Sequence, residues 1–385
     1  MDRSGGKDSS VDSFSSGETN SYPKRINEDE EELRTLCEWF WPTSDEKAAE
    51  AEYRLLALGE LELDDPTRVF LDSVYLDDQD YIHTLIYCHK VPIIPNQMEI
   101  DERGADIVLV HGFGAGLGFW FKNIKELARS NKVNRVFAID WLGMGRSSRP
   151  PFPLNKGTQV AIDFFIESME AWRLKQNNLN RFILMGHSLG GYLSVHYALH
   201  YPRQVSKLLL ISPIGLPRNI DPNNLNVSVT GRLIPKFLIH LWLRDYTPQG
   251  MVRSFGPLGP RLVMNYVNAR FPRLSERERY YLTAYGFHLT SRKGSGEYAL
   301  NSILSPGAWA RIPLEEVMIG LSEEVKVFFV FGADDWIDYK PALSALGNMG
   351  RQSEASKCIF KIKNAGHQIF LDNATEFNAL IDAIL

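Results

Sequence analysis

Cysteine is scarce: Cys37, Cys88 and Cys358 are the three in 385 residues. They lie far apart, offer no metal-binding spacing and cannot form a disulfide framework, which fits a reducing compartment. Each reads as a small buried apolar residue. Long apolar runs are also missing. No stretch of about 18 uninterrupted apolar residues occurs, so no spanning helix is expected. The run from Leu233 to Leu243 comes closest, and Lys236 and His240 break it. The opening residues Met1 to Lys7 contain no apolar segment, so no secretory signal is expected and the reading is intracellular. An excess of positive charge is lacking as well. Lys and Arg number 42 against 47 Asp and Glu, for a net charge of -5, which excludes nucleic-acid binding by bulk charge. What the chain does have is 44% hydrophobic and 11% aromatic residues, ample for a large core.

Residues 1–32 are rich in Ser, Gly, Asp and Glu and end in the run Glu28 to Glu32, the composition of a disordered acidic tail. The character then changes at Leu36-Cys37-Glu38-Trp39-Phe40-Trp41-Pro42. Indole rings favour a membrane–water interface, so Trp39, Phe40 and Trp41 read as a shallow lipid anchor, against the plainer reading of a staple on the main domain. Ser44 or Asp45 is expected to cap a helix from Glu46 to Leu58, which completes a segment 33–60. Val69–Leu76 and Tyr81–Cys88 read as a hairpin. From there buried-strand runs alternate with helical stretches: Ile107–Val110, Phe119–Arg129, Val136–Ile139, Val160–Lys175, Phe182–Met185, Tyr192–His200 and Val205–Ile211. Such alternation implies an α/β fold with a mostly parallel sheet and helices on both faces. It lapses over residues 213–313, where prolines punctuate short amphipathic pieces such as Ile234–Leu243 and Arg261–Ala269. An insertion here would sit over the site as a helical lid. Its apolar faces and Arg218, Arg232, Arg244, Arg253, Arg261 and Arg270 suit acyl chains and phosphate head groups, or else solvent. The core is then 61–212 plus 314–385, resuming with strands Val325–Phe331 and Cys358–Ile362.

The stretch around which this is organised is Met185-Gly186-His187-Ser188-Leu189-Gly190-Gly191. A serine hydroxyl is a weak nucleophile unless a base can reach it, so it must project from the fold. A sharp strand-to-helix turn achieves that, glycines relieve the crowding it causes, and the following helix aims free N–H groups at the same spot. The glycine-rich loop His111 to Gly118 lacks a Gly-Lys-Ser/Thr ending, which argues against a nucleotide P-loop. It resembles the His-Gly oxyanion loop of serine hydrolases, in which the N–H groups of Phe113 and Leu189 would be the two donors and His111 would position the loop. Past Val325–Phe331 comes Gly332-Ala333-Asp334-Asp335-Trp336-Ile337-Asp338. A triad acid is expected there: Asp335, with Asp338 as the alternate and Asp334 the least favoured. His367, after the last strand, would be the general base. No metal or organic cofactor is needed.

From Val69 onward these motifs, in the order Ser188, Asp335, His367, resemble the α/β-hydrolase superfamily. The Trp-rich entry, His111-Gly112-Phe113-Gly114-Ala115-Gly116, Asp140-Trp141-Leu142-Gly143-Met144-Gly145-Arg146-Ser147-Ser148 and His367-Gln368-Ile369-Phe370-Leu371-Asp372 are similar to one subgroup of it. That subgroup holds N-acyl-phosphatidylethanolamine lipases, lysophosphatidate acyltransferases, a cardiolipin deacylase and the triglyceride-lipase coactivator. The resemblance implies a phospholipid or lysophospholipid substrate and peripheral contact with a lipid droplet, mitochondrial or other membrane surface. It also implies a triglyceride lipase or droplet coat protein as a partner, and no nucleic acid. In the subgroup the His-x4-Asp pattern, here His367 and Asp372, has been linked to acyl transfer. The competing reading of Asp372 is a cap on the C-terminal helix that starts near Asn373. The coactivator type has lost the elbow serine; this chain keeps Ser188.

Overall fold

The computed structural model describes residues 43–90, 104–176, 179–219, 227–228 and 230–385. The acidic tail and the aromatic cluster Trp39, Phe40 and Trp41 lie outside the described residues. Among the described residues no helix is long and apolar enough to cross a membrane.

Helix α1 (Asp45–Ala57) opens the described chain, and its cap is Ser44, whose hydroxyl accepts the Lys47 N–H at 3.2 Å. Asp45 and Glu46 in its first turn complement the helix dipole. Ala48, Ala51, Leu55 and Leu56 recur at helical spacing and are all buried. Strands β1 (Val69–Tyr75) and β2 (Tyr81–Tyr87) pair antiparallel, as expected of a hairpin. They form one end of an eight-stranded sheet of order β1-β2-β4-β3-β5-β6-β9-β10. Its other members are β3 (Ala105–Val110), β4 (Val133–Ile139), β5 (Phe182–His187), β6 (Val205–Ile211), β9 (Lys326–Gly332) and β10 (Ile359–Ile362). From β4 to β10 every neighbouring pair is parallel.

Side chains alternate faces along a strand, and the core divides accordingly. Val108, Leu184, Leu208 and Phe329 pack with α3 (Thr158–Leu174) and α4 (Leu189–His200). Leu109, Met185, Leu209 and Val330 pack on the opposite face with Trp120, Phe121, Phe377 and Ile381. Trp120, Trp141 and Trp172 are fully buried. Each large apolar side chain removed from water contributes roughly 1.5–3 kcal/mol, so both layers hold the sheet firmly.

Several elements depart from expectation in detail. Phe119–Arg129 is a 3-10 turn, Leu117–Trp120, followed by α2 (Ile124–Arg129). The two amphipathic pieces become α5 (Lys236–Trp242) and α7 (Gly259–Arg270), with α6 (Pro248–Ser254) between them. The sequence reading missed α8 (Glu276–Ser291) and a small hairpin of β7 (Leu304–Ser305) and β8 (Trp309–Ala310). Cys358 ends a helical turn, and β10 begins at Ile359. After β9 and β10 follow α9 (Lys340–Asn348) and α10 (Ala374–Ile384).

Candidate active site

The parallel strands β3, β5, β6, β9 and β10 all end on one edge of the sheet, where such folds collect their functional loops. Val110 pairs with Gly186, and His187 with Ile211, so the loops that follow emerge side by side.

Ser188 sits at the turn from β5 into α4 with φ 53° and ψ -115°. An L-residue rarely adopts this region, so the surrounding structure must hold it there. Gly190 shows how tightly it does. A Cβ at that position would lie 2.5 Å from the His111 carbonyl oxygen and 2.7 Å from that of Val110. At Gly186 it would meet the Ser194 hydroxyl at 2.4 Å and the Gly190 carbonyl at 2.5 Å.

The Ser188 hydroxyl lies 3.0 Å from Nε2 of His367. On the other side of the ring, Nδ1 is 3.2 and 3.4 Å from the two carboxylate oxygens of Asp335. A carboxylate only accepts, so Nδ1 carries the proton and Nε2 is left to accept from the serine. Burial would raise the Asp335 pKa, but the His367 ring and the hydrogen bonds from Ser212 and Ile337 hold it below the usual carboxylate range. The other two acids are elsewhere. Asp338 is exposed and accepts the Lys340 N–H at 3.1 Å, while Asp334 pairs with Arg273 at 3.0 Å.

Leu189 opens α4, so its N–H is among the first-turn donors that have no partner within the helix. Phe113 follows Gly112, whose missing side chain would touch Ser188 Cβ at 3.0 Å, so this stretch of loop runs directly against the serine. His111 braces the loop. Its Nδ1 donates to the Gly112 carbonyl at 2.8 Å, Nε2 accepts the Trp141 N–H at 3.2 Å, and its own carbonyl accepts from the Trp141 indole. Complete burial lowers its pKa, which suits this neutral, one-donor role.

Of the two readings of Asp372 the structure excludes the cap, and sequence reasoning missed two further side chains. The helix α10 is capped by Asn373, which accepts the Glu376 N–H at 3.3 Å, and not by Asp372. Asp372 instead turns back and accepts the Gly366 N–H at 2.8 Å, bracing the residue before His367. His187 lies 3.0 Å from the His367 carbonyl oxygen, and burial keeps it well below its ordinary pKa, so its Nε2–H is the donor. Ser212 at the end of β6 donates to Asp335, a contact spanning 123 residues. A serine just past a buried strand on the same sheet edge was the available signal. Among the described residues, Glu52, His83 and Asp140 place ligand-type atoms within 4.8 Å of one another. There the Arg146 guanidinium contacts Glu52 and lies 3.2 Å from His83 Nε2, so an internal cation already occupies the cluster.

Residues 107–374 match the alpha/beta hydrolase fold family. A probable 1-acylglycerol-3-phosphate O-acyltransferase of Oryza sativa subsp. japonica is 35% identical, covering 88% of this chain and 81% of that one. A (lyso)-N-acylphosphatidylethanolamine lipase of Mus musculus is 31% identical, covering 76% and 84%. Among solved structures, a bromoperoxidase from Bacillus anthracis has a TM-score of 0.56 at 16% identity, covering 82% of this chain and 100% of that one. At that identity the likeness concerns the fold alone.

Proposed function

The chain belongs to the alpha/beta hydrolase family, in the subgroup of these lipid-enzyme relatives, and from that premise we propose that it cleaves or transfers acyl groups of phospholipids through Ser188. The observation that carries this is the relay of 3.0 and 3.2 Å contacts from Ser188 through His367 to Asp335. In the proposed reaction the Ser188 oxygen attacks the acyl carbonyl as His367 Nε2 takes its proton. Asp335 holds the ring in the tautomer that can accept it and stabilises the imidazolium that results. The N–H groups of Phe113 and Leu189 meet the developing oxyanion. Collapse expels the leaving group, to which His367 returns the proton. Water then releases a fatty acid, as in a lipase, or the hydroxyl of a lysophospholipid takes the acyl group, as in an acyltransferase. The names of the two curated relatives, one an acyltransferase and one a lipase, favour a lipid substrate and leave both acceptors in play.

We assign residues 213–313 as the lid and its outer face as a surface that meets a membrane or lipid droplet, and Trp39, Phe40 and Trp41 as a further anchor. Leu233, Phe237, Leu243, Phe255, Leu258 and Tyr266 are all exposed, an apolar density a water-facing surface rarely carries. The test is to incubate purified protein and its Ser188→Ala variant with N-acyl and diacyl phospholipids, with and without a lysophospholipid and an acyl donor. Products are then separated by mass. Free fatty acid from the wild type alone identifies a hydrolase; new diacyl product at its expense identifies a transferase. Absence of Ser188-dependent turnover overturns the reading in favour of a droplet-bound coactivator of a separate triglyceride lipase.

A further inference from the structure

The insertion is as uneven in charge as it is in polarity. The whole chain has a net charge of -5, yet from Arg232 to Arg273 it carries six Arg and one Lys against a single acid, Asp245. Asp245 is half-buried and accepts from the Asn301 amide at 3.1 Å, so this stretch presents no exposed carboxylate. Two of the seven cations are paired with acids from outside it, Arg253 with Glu297 and Arg273 with Asp334. Arg270 is half-buried at the end of α7. The remaining four, Arg232, Lys236, Arg244 and Arg261, are exposed, and no ion pair among the described residues includes them.

These four are interleaved with the exposed apolar side chains. Leu233 (81% exposed) and Phe237 (63%) follow directly on Arg232 and Lys236, and Leu243 adjoins Arg244. Helix α5 has one buried residue, Ile239, while Phe237, Leu238 and His240 are exposed. On α7 the buried residues Gly259, Val263 and Val267 recur every four positions, which leaves Arg261 and Leu262 on the outer side. A protein partner of fixed shape is usually met by a packed apolar centre with the charges kept to its rim. Here the charges run through the apolar set. Lys and Arg have long apolar stems, which lie along acyl chains while the charged heads reach the phosphate layer.

We propose that this face docks on a bilayer containing anionic lipid and prefers it to a zwitterionic or neutral surface. The proposal rests on the lipid-facing assignment of the insertion above and adds the charge of its partner. The exposed apolar side chains enter the interface. Arg232, Lys236, Arg244 and Arg261 supply the preference, each by about fivefold near an anionic surface.

Sedimentation of the full chain with phosphatidylcholine vesicles, with and without phosphatidylglycerol, reads this face without turnover. The wild type is expected to bind the anionic vesicles about tenfold or more tightly, and raised salt should remove most of the gain. A variant carrying Arg232→Gln, Lys236→Gln, Arg244→Gln and Arg261→Gln should keep its melting temperature and its binding to phosphatidylcholine, and lose the gain. A control of the same net charge removes four exposed cations from outside the insertion, by Lys175→Gln, Arg203→Gln, Lys357→Gln and Lys363→Gln, and should keep it. Equal binding of the wild type to both kinds of vesicle overturns the proposal. So does an equal loss in both variants, which would assign the preference to net charge. Capture of soluble polyglutamate in place of vesicles also overturns it and assigns the face to an acidic polypeptide. Turnover of a soluble nitrophenyl ester should be alike in all three proteins. If none of them turns over any acyl substrate, the acyl-transfer reading fails while vesicle binding still decides the docking surface.

Discussion

The nucleophile helix and the insertion beyond it are built on opposite plans. In α4, ten consecutive residues from Leu189 to Ala198 are buried, and its first turn tolerates no added methyl group at Gly190. In the insertion, ten of the sixteen exposed large apolar side chains among the described residues fall between Leu233 and Tyr266. The first region is enclosed by its neighbours; the second leaves ten large apolar side chains open to solvent. A proton relay depends on angles and tenths of an ångström, so its support must be overdetermined. A surface that meets a fluid lipid phase depends on area, and area can be supplied by side chains that hold no fixed geometry. The two join at α8, where the Tyr285 hydroxyl accepts the Gly118 N–H at 3.1 Å and so ties the insertion to the glycine-rich loop.

If the contrast is right, damage to the two regions should look different. The largest effect is expected from Ser188→Ala, which should abolish acyl-ester turnover by about 10⁴-fold or more with little change in melting temperature, measured with a soluble nitrophenyl ester and with phospholipid. Asp335→Asn should follow, lowering kcat by about 10³–10⁴-fold because the wrong histidine tautomer is favoured. It carries a second signature. Asp335 has a depressed folded-state pKa, so its contribution to stability is complete above about pH 4, the unfolded value, and is lost as pH falls through the lower folded value. Acid denaturation curves of wild type and Asp335→Asn should therefore converge below that point and separate above it. Gly190→Ala should act on stability, by about 2–3 kcal/mol for forced overpacking, seen as a lower denaturation midpoint. The smallest change in stability, within about 0.5 kcal/mol, is expected from Phe255→Asp with Leu258→Asp on the insertion. That pair should instead weaken sedimentation with phosphatidylcholine vesicles. If it unfolds the protein, the insertion is core, and the contrast collapses.

The site was legible where chemistry follows directly on a buried strand. Ser188, Asp335 and His367 each sit just past an apolar run that ends at the same sheet edge, so topology alone brings them near one another. Their braces were not legible. His187 and the His367 carbonyl are 180 residues apart in sequence, and Ser212 and Asp335 are 123 apart. Of the two readings of Asp372, the helix cap fails because Asn373 has the geometry for that role, and Asp372 reaches Gly366 instead. Helix α8 had a visible start signal in Ser275 and Glu278, which form a capping box. Its nine consecutive buried residues, Tyr281 to Leu289, leave no polar face, so the usual amphipathic period is absent.

Glu52 lies upstream of residue 107, where the match to the family model begins. Its fully buried carboxylate contacts Arg146 and His83 and lies 3.2 Å from the Tyr285 hydroxyl, joining the first helix, the second strand, the loop after β4 and the insertion at one point. Burial alone would raise its pKa; the His83 and Arg146 contacts reverse that and hold it down at about 2. The stretch matched by the family model is therefore shorter than the stretch that folds around this carboxylate. Trimming the chain to the stretch matched by the family model would strand the Arg146 guanidinium with no Glu52 carboxylate, a loss of about 3–5 kcal/mol at the loop after β4.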